Sequence, residues 1–366
     1  MEGEDENKNK KLYTFLKSRK RESMGIPPLT NSEGSLITDT SGKTEVLSKQ
    51  YESVFTKEND NIPQTNSTAP IMPNINITEN GITKLLHKLN PQKANGPDKI
   101  PIKILKEYAT HIAKFLHIIF TKSYDTGELP QDWLTANISP IFKKGNRNTP
   151  GNYRPVSLTA VTCKIMEHIL HTNIIQHCNN HNIITDRQHG FRTKHSCESQ
   201  LILTTEDLLH SLDQKNQVDI VILDFSKAFD TIAHNRLQAK LQMYGIKGKT
   251  LNWISKWLKF RTQRVVIDGE NSKDVPVISG VPQGTVLGPL MFLLYINDIN
   301  QGLSSQIRLF ADDCVLYREI RSQADAEILQ NDLNKLVSWS HKWQMKFNIA
   351  KCHTLSAHRK KTPIIF

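Results

Sequence analysis

The chain has 366 residues, enough for about two domains with a sizeable core. Lys and Arg number 47 against 36 Asp and Glu, so the net charge is +11. With 38% hydrophobic residues the composition excludes a disordered tail or a collagen-like fibre, and the charge leans mildly toward a polyanionic partner.

The first residues, Met1-Glu-Gly-Glu-Asp-Glu6, lack the cationic start and apolar stretch of a secretory signal. A basic stretch over 8–21 follows, and its cluster Lys17-Ser-Arg-Lys-Arg21 reads as a nuclear signal, a nucleic-acid arm or a solvated face. Helical spacing of Leu47, Tyr51, Val54 and Phe55 predicts a helix over 45–55. The Asn-, Thr- and Pro-rich stretch 59–76 reads as a linker, so 1–76 is taken as an N-terminal extension. Beyond Ile77 helices are predicted over 81–89 and 101–124, separated by the turn Asn95-Gly-Pro-Asp98. Short apolar strands then alternate with helices.

Five cysteines, Cys163, Cys178, Cys197, Cys314 and Cys352, include no C-x-x-C pair. A disulfide scaffold is not expected, and an intracellular, reducing location is, nuclear or cytoplasmic rather than secreted. Cys178-Asn-Asn-His181 has the look of half a zinc site without a second half. The longest apolar run, Pro289 through Ile296, falls short of the ~20 residues that cross a bilayer, so no membrane partner is expected.

Two segments carry most information. Ile220 to Leu223 is an apolar, mostly β-branched run of the kind buried on both faces of a sheet, and Asp224 follows at its carboxyl end. Asp224 there is a ligand site or a plain helix cap. Farther on, apolar runs flank Asp312-Asp313 as strands flank a hairpin tip. Adjacent carboxylates in such a tip repel unless a cation lies between them. Asp224, Asp312 and Asp313 together suit two Mg²⁺ ions, with Mn²⁺ as a substitute, activating a hydroxyl and stabilising a leaving oxygen in an in-line displacement. Trp253, Trp257, Lys259, Arg261 and Arg264 interleave aromatic and basic residues, which suits a nucleic-acid groove or, equally, buried tryptophans beside solvated charges.

Seven blocks in order resemble one family. They are Lys93-Ala-Asn-Gly-Pro-Asp98, Asn152-Tyr-Arg-Pro-Val-Ser-Leu158, His189-Gly-Phe-Arg192, Leu223-Asp-Phe-Ser-Lys-Ala-Phe-Asp230, Gly280-Val-Pro-Gln-Gly-Thr285, Phe310-Ala-Asp-Asp313 and Lys346-Phe-Asn-Ile-Ala-Lys-Cys352. Over roughly residues 77 to 355 the chain resembles the reverse transcriptase of LINE-type (non-long-terminal-repeat) retrotransposons.

The resemblance implies an α+β right-hand polymerase whose antiparallel palm sheet packs on helices. Fingers would span about 77–215, palm about 216–345, and the start of a palm–thumb connection about 346–366. The thumb is expected to be absent or truncated. The implied activity is RNA-directed DNA polymerisation with an RNA template, a DNA primer, deoxynucleoside triphosphates and two Mg²⁺. Asp224, Asp312 and Asp313 match the catalytic, metal-binding carboxylates, and Phe225 would lend a backbone carbonyl. Arg192 matches the arginine that grips the triphosphate, a task suited to forked donors at fixed charge. Phe229 would exclude a 2′-hydroxyl by filling its volume. Gln283 and Gly284 would meet the nucleotide or template, Arg154 a phosphate or template, and Lys351 the leaving pyrophosphate as a general acid. The alternative is a partial or decayed element that binds nucleic acid without efficient polymerisation.

Overall fold

A computed structural model describes residues 25–67, 69–359 and 364. The basic cluster at 17–21 lies outside the described residues. Near the N-terminus β1 (Leu29–Thr30) pairs with β2 (Leu36–Ile37). Asp39 then caps α1 (Thr40–Glu52), its carboxylate accepting from Gly42 N–H at 2.6 Å. That cap starts the helix five residues before the predicted position.

Thr78 caps α2 (Glu79–His87), which buries Ile82 and Leu86. The helix predicted over 101–124 is two, α3 (Ile102–Glu107) and α4 (Ala109–Thr126). Tyr108 breaks it with φ −101° and ψ 27°, a kink no proline or glycine announces. A short α5 (Gln131–Leu134) leads into β3 (Thr135–Phe142) and β4 (Tyr153–Leu158), followed by α6 (Val161–Asn180) and α7 (Cys197–Asp213).

The next segment is β5 (Gln217–Asp224), then α8 (His234–Met243), α9 (Gly248–Lys259), β6 (Thr262–Ile267), β7 (Glu270–Asn271) and β8 (Val275–Pro276). Last come α10 (Leu287–Ile296), β9 (Gln306–Phe310), β10 (Asp313–Ile320), α11 (Gln323–Trp343) and β11 (His353–Ala357). The α+β architecture, with an antiparallel sheet packed on helices, is as expected.

Two sheets organise these elements. One is fully antiparallel in the order β11-β5-β10-β9. The other runs β4-β3-β6-β7, with β8 also on β6 and β3 parallel to β6. In the first sheet Val221, Leu223, Cys314, Leu316, Ile307 and Leu309 all enter the main core. The opposite face is only partly covered: Val218, Ile220 and Tyr317 pack with Leu208 of α7, while Ile222 is 41% exposed. The expectation of a strand buried on both faces is therefore corrected. Alternation puts Ile222 and Asp224 on the same side, and that side opens toward the strand's end.

The apolar run ahead of Ile296 forms the centre of the core. All of α10 except Pro289 is buried. Among the described residues no helix is long and apolar enough to cross a membrane.

Residues 53–67 and 69–78 are without helix or strand, yet they are not a free linker. Met72, Ile75 and Ile77 are buried. Glu58 accepts from the backbone N–H groups of Asn235 and Arg236 at 3.0 and 2.9 Å, which caps α8 from far along the chain. The Arg236 side chain, 2% exposed, bonds Glu58, the backbone carbonyls of Asn59 and Asn61, and Lys342 O. Composition alone hides this strap, because its anchoring groups are polar.

Candidate active site

Antiparallel pairing places Asp224 and Asp313 directly opposite one another. Both stand at the end of their strands, on the partly open face. Asp312 occupies the hairpin tip between β9 and β10. Partial burial, then the charges of Asp312 and Asp224, raise the pKa of Asp313 above the usual carboxylate range, while Lys143 and Lys351 pull it down. The two distant segments singled out in the sequence thus converge.

Lys351 completes the group. Its Nζ lies 3.0 and 3.1 Å from the two carboxylate oxygens of Asp224. The segment carrying it is tied to the strand end, since Asn348 N–H donates to Asp224 O at 2.7 Å and Ser226 N–H donates to Lys346 O at 2.9 Å. Between those bonds Phe225 faces Phe347, the rings stacked at 4.7 Å. The Phe225 carbonyl is not one of the groups tied into this pairing. Among the described residues no three acidic, imidazole or thiol side chains are grouped closely enough to hold a metal ion by themselves. The donor set nevertheless has the right chemistry for a hard cation: three carboxylates, at least one strained by like charge, and a backbone carbonyl.

The hairpin tip is held from the side. Ala311, just before Asp312, has φ 52°. Buried Gln188 clasps it, Oε1 accepting from Ala311 N–H at 2.9 Å and Nε2 donating to Ala311 O at 3.3 Å. Gly190 N–H also donates to Gln188 Oε1, at 2.7 Å. A Cβ on Gly190 would meet Ala311 N at 2.2 Å, so only glycine allows this approach. The His189-Gly-Phe-Arg192 block is therefore docked on the carboxylate hairpin. Arg192 itself turns inward. Its guanidinium donates to Thr185 O at 2.8 Å and Gln188 O at 3.2 Å, with Asp186 3.5 Å away.

Phe229 stacks on Phe292 at 4.8 Å and meets Phe191 edge-on at 6.2 Å. Next to it, the loop 280–285 packs tightly: Gly280 has φ 85°, and a Cβ there would lie 2.7 Å from both Phe229 O and Asp230 O. Gln283 donates from Nε2 to Asp230 Oδ1 at 2.9 Å, and Gly284 is exposed. Arg154 is exposed on β4, and Lys143 lies close enough for Arg154, Lys351 and Asp224 to act on its charge.

Of the two readings of 253–264, the buried tryptophans hold, and the assignment of Arg261 to nucleic acid is corrected. Trp253 and Trp257 are fully buried and stacked. Arg261 is 3% exposed, its guanidinium 5.5 Å from the Trp257 ring centre, and cannot reach a nucleic-acid backbone. Burial disfavours its charge, and the nearby carboxylate of fully buried Glu167 favours it without pairing directly. Glu167 accepts from Val286 and Leu287 N–H at 2.7 and 3.0 Å, capping α10. Arg264 is part-buried and donates to Asn137 at 3.0 Å.

Sequence reasoning missed three residues around the site. Lys143 had a signal, a basic pair directly after an apolar strand. Asp230 was visible inside its block, without a role. Glu167 had none, because it lies on a helix far from any block.

The family model for "Reverse transcriptase (RNA-dependent DNA polymerase)" matches residues 141–364, more than half of the chain. Among curated proteins the chain is similar to the "Probable RNA-directed DNA polymerase from transposon X-element" of Drosophila melanogaster, 27% identical over 96% of this chain and 40% of that protein. It is equally similar to the "RNA-directed DNA polymerase from mobile element jockey" of the same species, at 27% with the same coverage. A "Retrovirus-related Pol polyprotein from type-2 retrotransposable element R2DM" is 28% identical over 71% of this chain and 24% of that protein. The chain thus spans about 40% of the length of the first two relatives.

Proposed function

The chain belongs to the reverse transcriptase (RNA-dependent DNA polymerase) family, and on that footing we propose that it extends a DNA 3′-hydroxyl on an RNA template as part of a LINE-type retroelement protein. The observation that carries this reading is the register that sets Asp224 opposite Asp313, with Asp312 at the adjoining tip. Carboxylates so placed suit a site that takes up positive charge, as Lys351 at Asp224 already illustrates.

Asp224, Asp312, Asp313 and the Phe225 carbonyl are assigned to two Mg²⁺ ions, with Mn²⁺ as a substitute. When bound, such ions polarise the attacking hydroxyl and neutralise the leaving oxygen. Lys351, already held at Asp224, is assigned as proton donor to the departing pyrophosphate. Arg192 keeps donors beyond those it gives to its own loop, and these are assigned to the triphosphate. Phe229, wedged against Phe292, leaves no volume for a 2′-hydroxyl and so selects deoxynucleotides. Residues 77–215 then serve as fingers and 216–345 as palm, with 346–366 leading toward a thumb. Exposed Arg154 is assigned to the template, whose binding is expected to weaken with salt.

Primer extension run beside a binding assay on one preparation tests this. Asp312→Ala is expected to cut nucleotide incorporation by ~10³-fold or more while nucleic-acid binding stays nearly intact. Retained incorporation in that variant removes the assignment. Binding without extension by the unaltered chain would favour a decayed element instead.

A further inference from the structure

The hairpin that carries Asp312 turns through two residues. Phe310 pairs with Asp313, so Ala311 and Asp312 alone connect β9 to β10. Of these two only Ala311 has a positive φ, 52°. A two-residue turn with that pattern takes glycine at its first position by default, because a Cβ is strained there. Here the sequence supplies alanine. Such a conformation persists only where the surroundings hold it, and a turn that relaxes carries Asp312 with it.

Gln188 is the holder. Its segment docks without help from the side chain. Leu309 N–H donates to Arg187 O at 2.9 Å and His189 N–H donates to Leu309 O at 2.8 Å, a parallel bridge along the outer edge of β9. The side chain is left for the turn. A carboxamide accepts at one end and donates at the other, so it satisfies both backbone groups of Ala311 at once, at 2.9 and 3.3 Å. The Gly190 N–H, 2.7 Å from Oε1, fixes which end is which. Gln188 is 2% exposed, so water does not compete for these bonds. Its backbone carbonyl also accepts from the Arg192 guanidinium at 3.2 Å. The residue assigned to the triphosphate and the turn that presents Asp312 thus share one anchor.

We propose that Gln188 is a positioning residue for the metal-binding carboxylates: its carboxamide holds Ala311 in the left-handed turn and so fixes the placement of Asp312. This role rests on the polymerase reading of the site.

The test uses the chain with an RNA template and a DNA primer, and takes two readings. One is kcat and KM for dTTP. The other is Mn²⁺ bound to the complex with a dideoxy-terminated primer and dTTP, followed by electron paramagnetic resonance. Gln188→Met is expected to lower kcat about 30- to 100-fold with KM for dTTP within about twofold, and to weaken Mn²⁺ binding about tenfold. Adding Ala311→Gly, which adopts the positive φ unaided, is expected to recover about tenfold of the lost kcat. Gln188→Glu keeps the length and the acceptor but not the donor, and falls between; it decides the question by the same two readings if Gln188→Met does not fold. Unchanged kcat and Mn²⁺ binding in a folded variant, a loss confined to KM, or no recovery with Ala311→Gly would each overturn the role alone. An unaltered chain that incorporates no nucleotide overturns the polymerase reading and this role with it.

Discussion

Two regions of this protein concentrate charge, and they do so in opposite ways. At the end of β5 and β10, like charges face each other across a pleat, on a face that stays partly open, with Lys351 as their counterweight. Around α9 and α10, opposite charges are sealed inside: Glu167 and Arg261 lie within the core, bracketed by Trp257, Cys163 and the first amides of α10. Like charges at an opening remain available to a ligand. The interior groups are committed to the fold, Glu167 to backbone amides and Arg261 to the Trp257 ring, and neither is open to a ligand.

The contrast can be broken most forcefully at Glu167. Glu167→Ala leaves the Val286 and Leu287 N–H groups without their acceptor and removes a carboxylate that favours the charge of buried Arg261. A loss of roughly 3–5 kcal/mol in chemical denaturation is expected, chiefly from two buried donors left without a partner. A loss below ~1 kcal/mol would mean that the Glu167 cap is not structural.

A second test uses acidity. His234 is buried, donates to Gly280 O, and burial lowers its pKa to about 4, with Arg261 and Lys259 also disfavouring the imidazolium and Glu58 favouring it. A histidine kept neutral in the fold gives stability that is full above its unfolded pKa of about 6.5 and drains away as pH falls toward 4. The change across that window is on the order of 3 kcal/mol for the unaltered chain. His234→Gln should flatten this acid limb in unfolding measurements at successive pH values; an unchanged slope would assign it to other groups.

The smallest effect belongs to the open region. The pKa of Asp313 is raised in the fold, so its ionised form opposes folding at neutral pH and ceases to do so as the group protonates. Asp313→Asn should therefore leave stability unchanged or raise it by roughly a few tenths of a kcal/mol, solvent screening keeping the gain small. A clear destabilisation would show that this carboxylate is a structural group like Glu167.

The sequence exposed the open region far better than the sealed one. Asp224 and the Asp312–Asp313 pair interrupt apolar strands, and a charge that ends such a run has little choice but to stand at the sheet's edge. Sidedness was harder to see. At the end of α9, Phe260 is 63% exposed while Arg261 is buried, the reverse of what hydrophobicity predicts. Arg261 packs over the Trp257 ring while Glu167, on another helix, favours its charge, and neither effect is visible to local pattern. The break at Tyr108 was hidden for a related reason, since nothing in the local composition forbids helix there. In the stretch read as a linker, polar side chains made polar contacts inside the fold, and composition cannot tell those from contacts with water.

The grip of Glu58 and Asn59 on Arg236 has a consequence for how the molecule comes apart. A guanidinium enclosed this way has no solvent to fall back on, so peeling the strap away would strand a cation and uncap a helix at once. Peptide bonds in that stretch should therefore resist proteolytic nicking about as long as the globule itself persists, and local release and global melting should coincide.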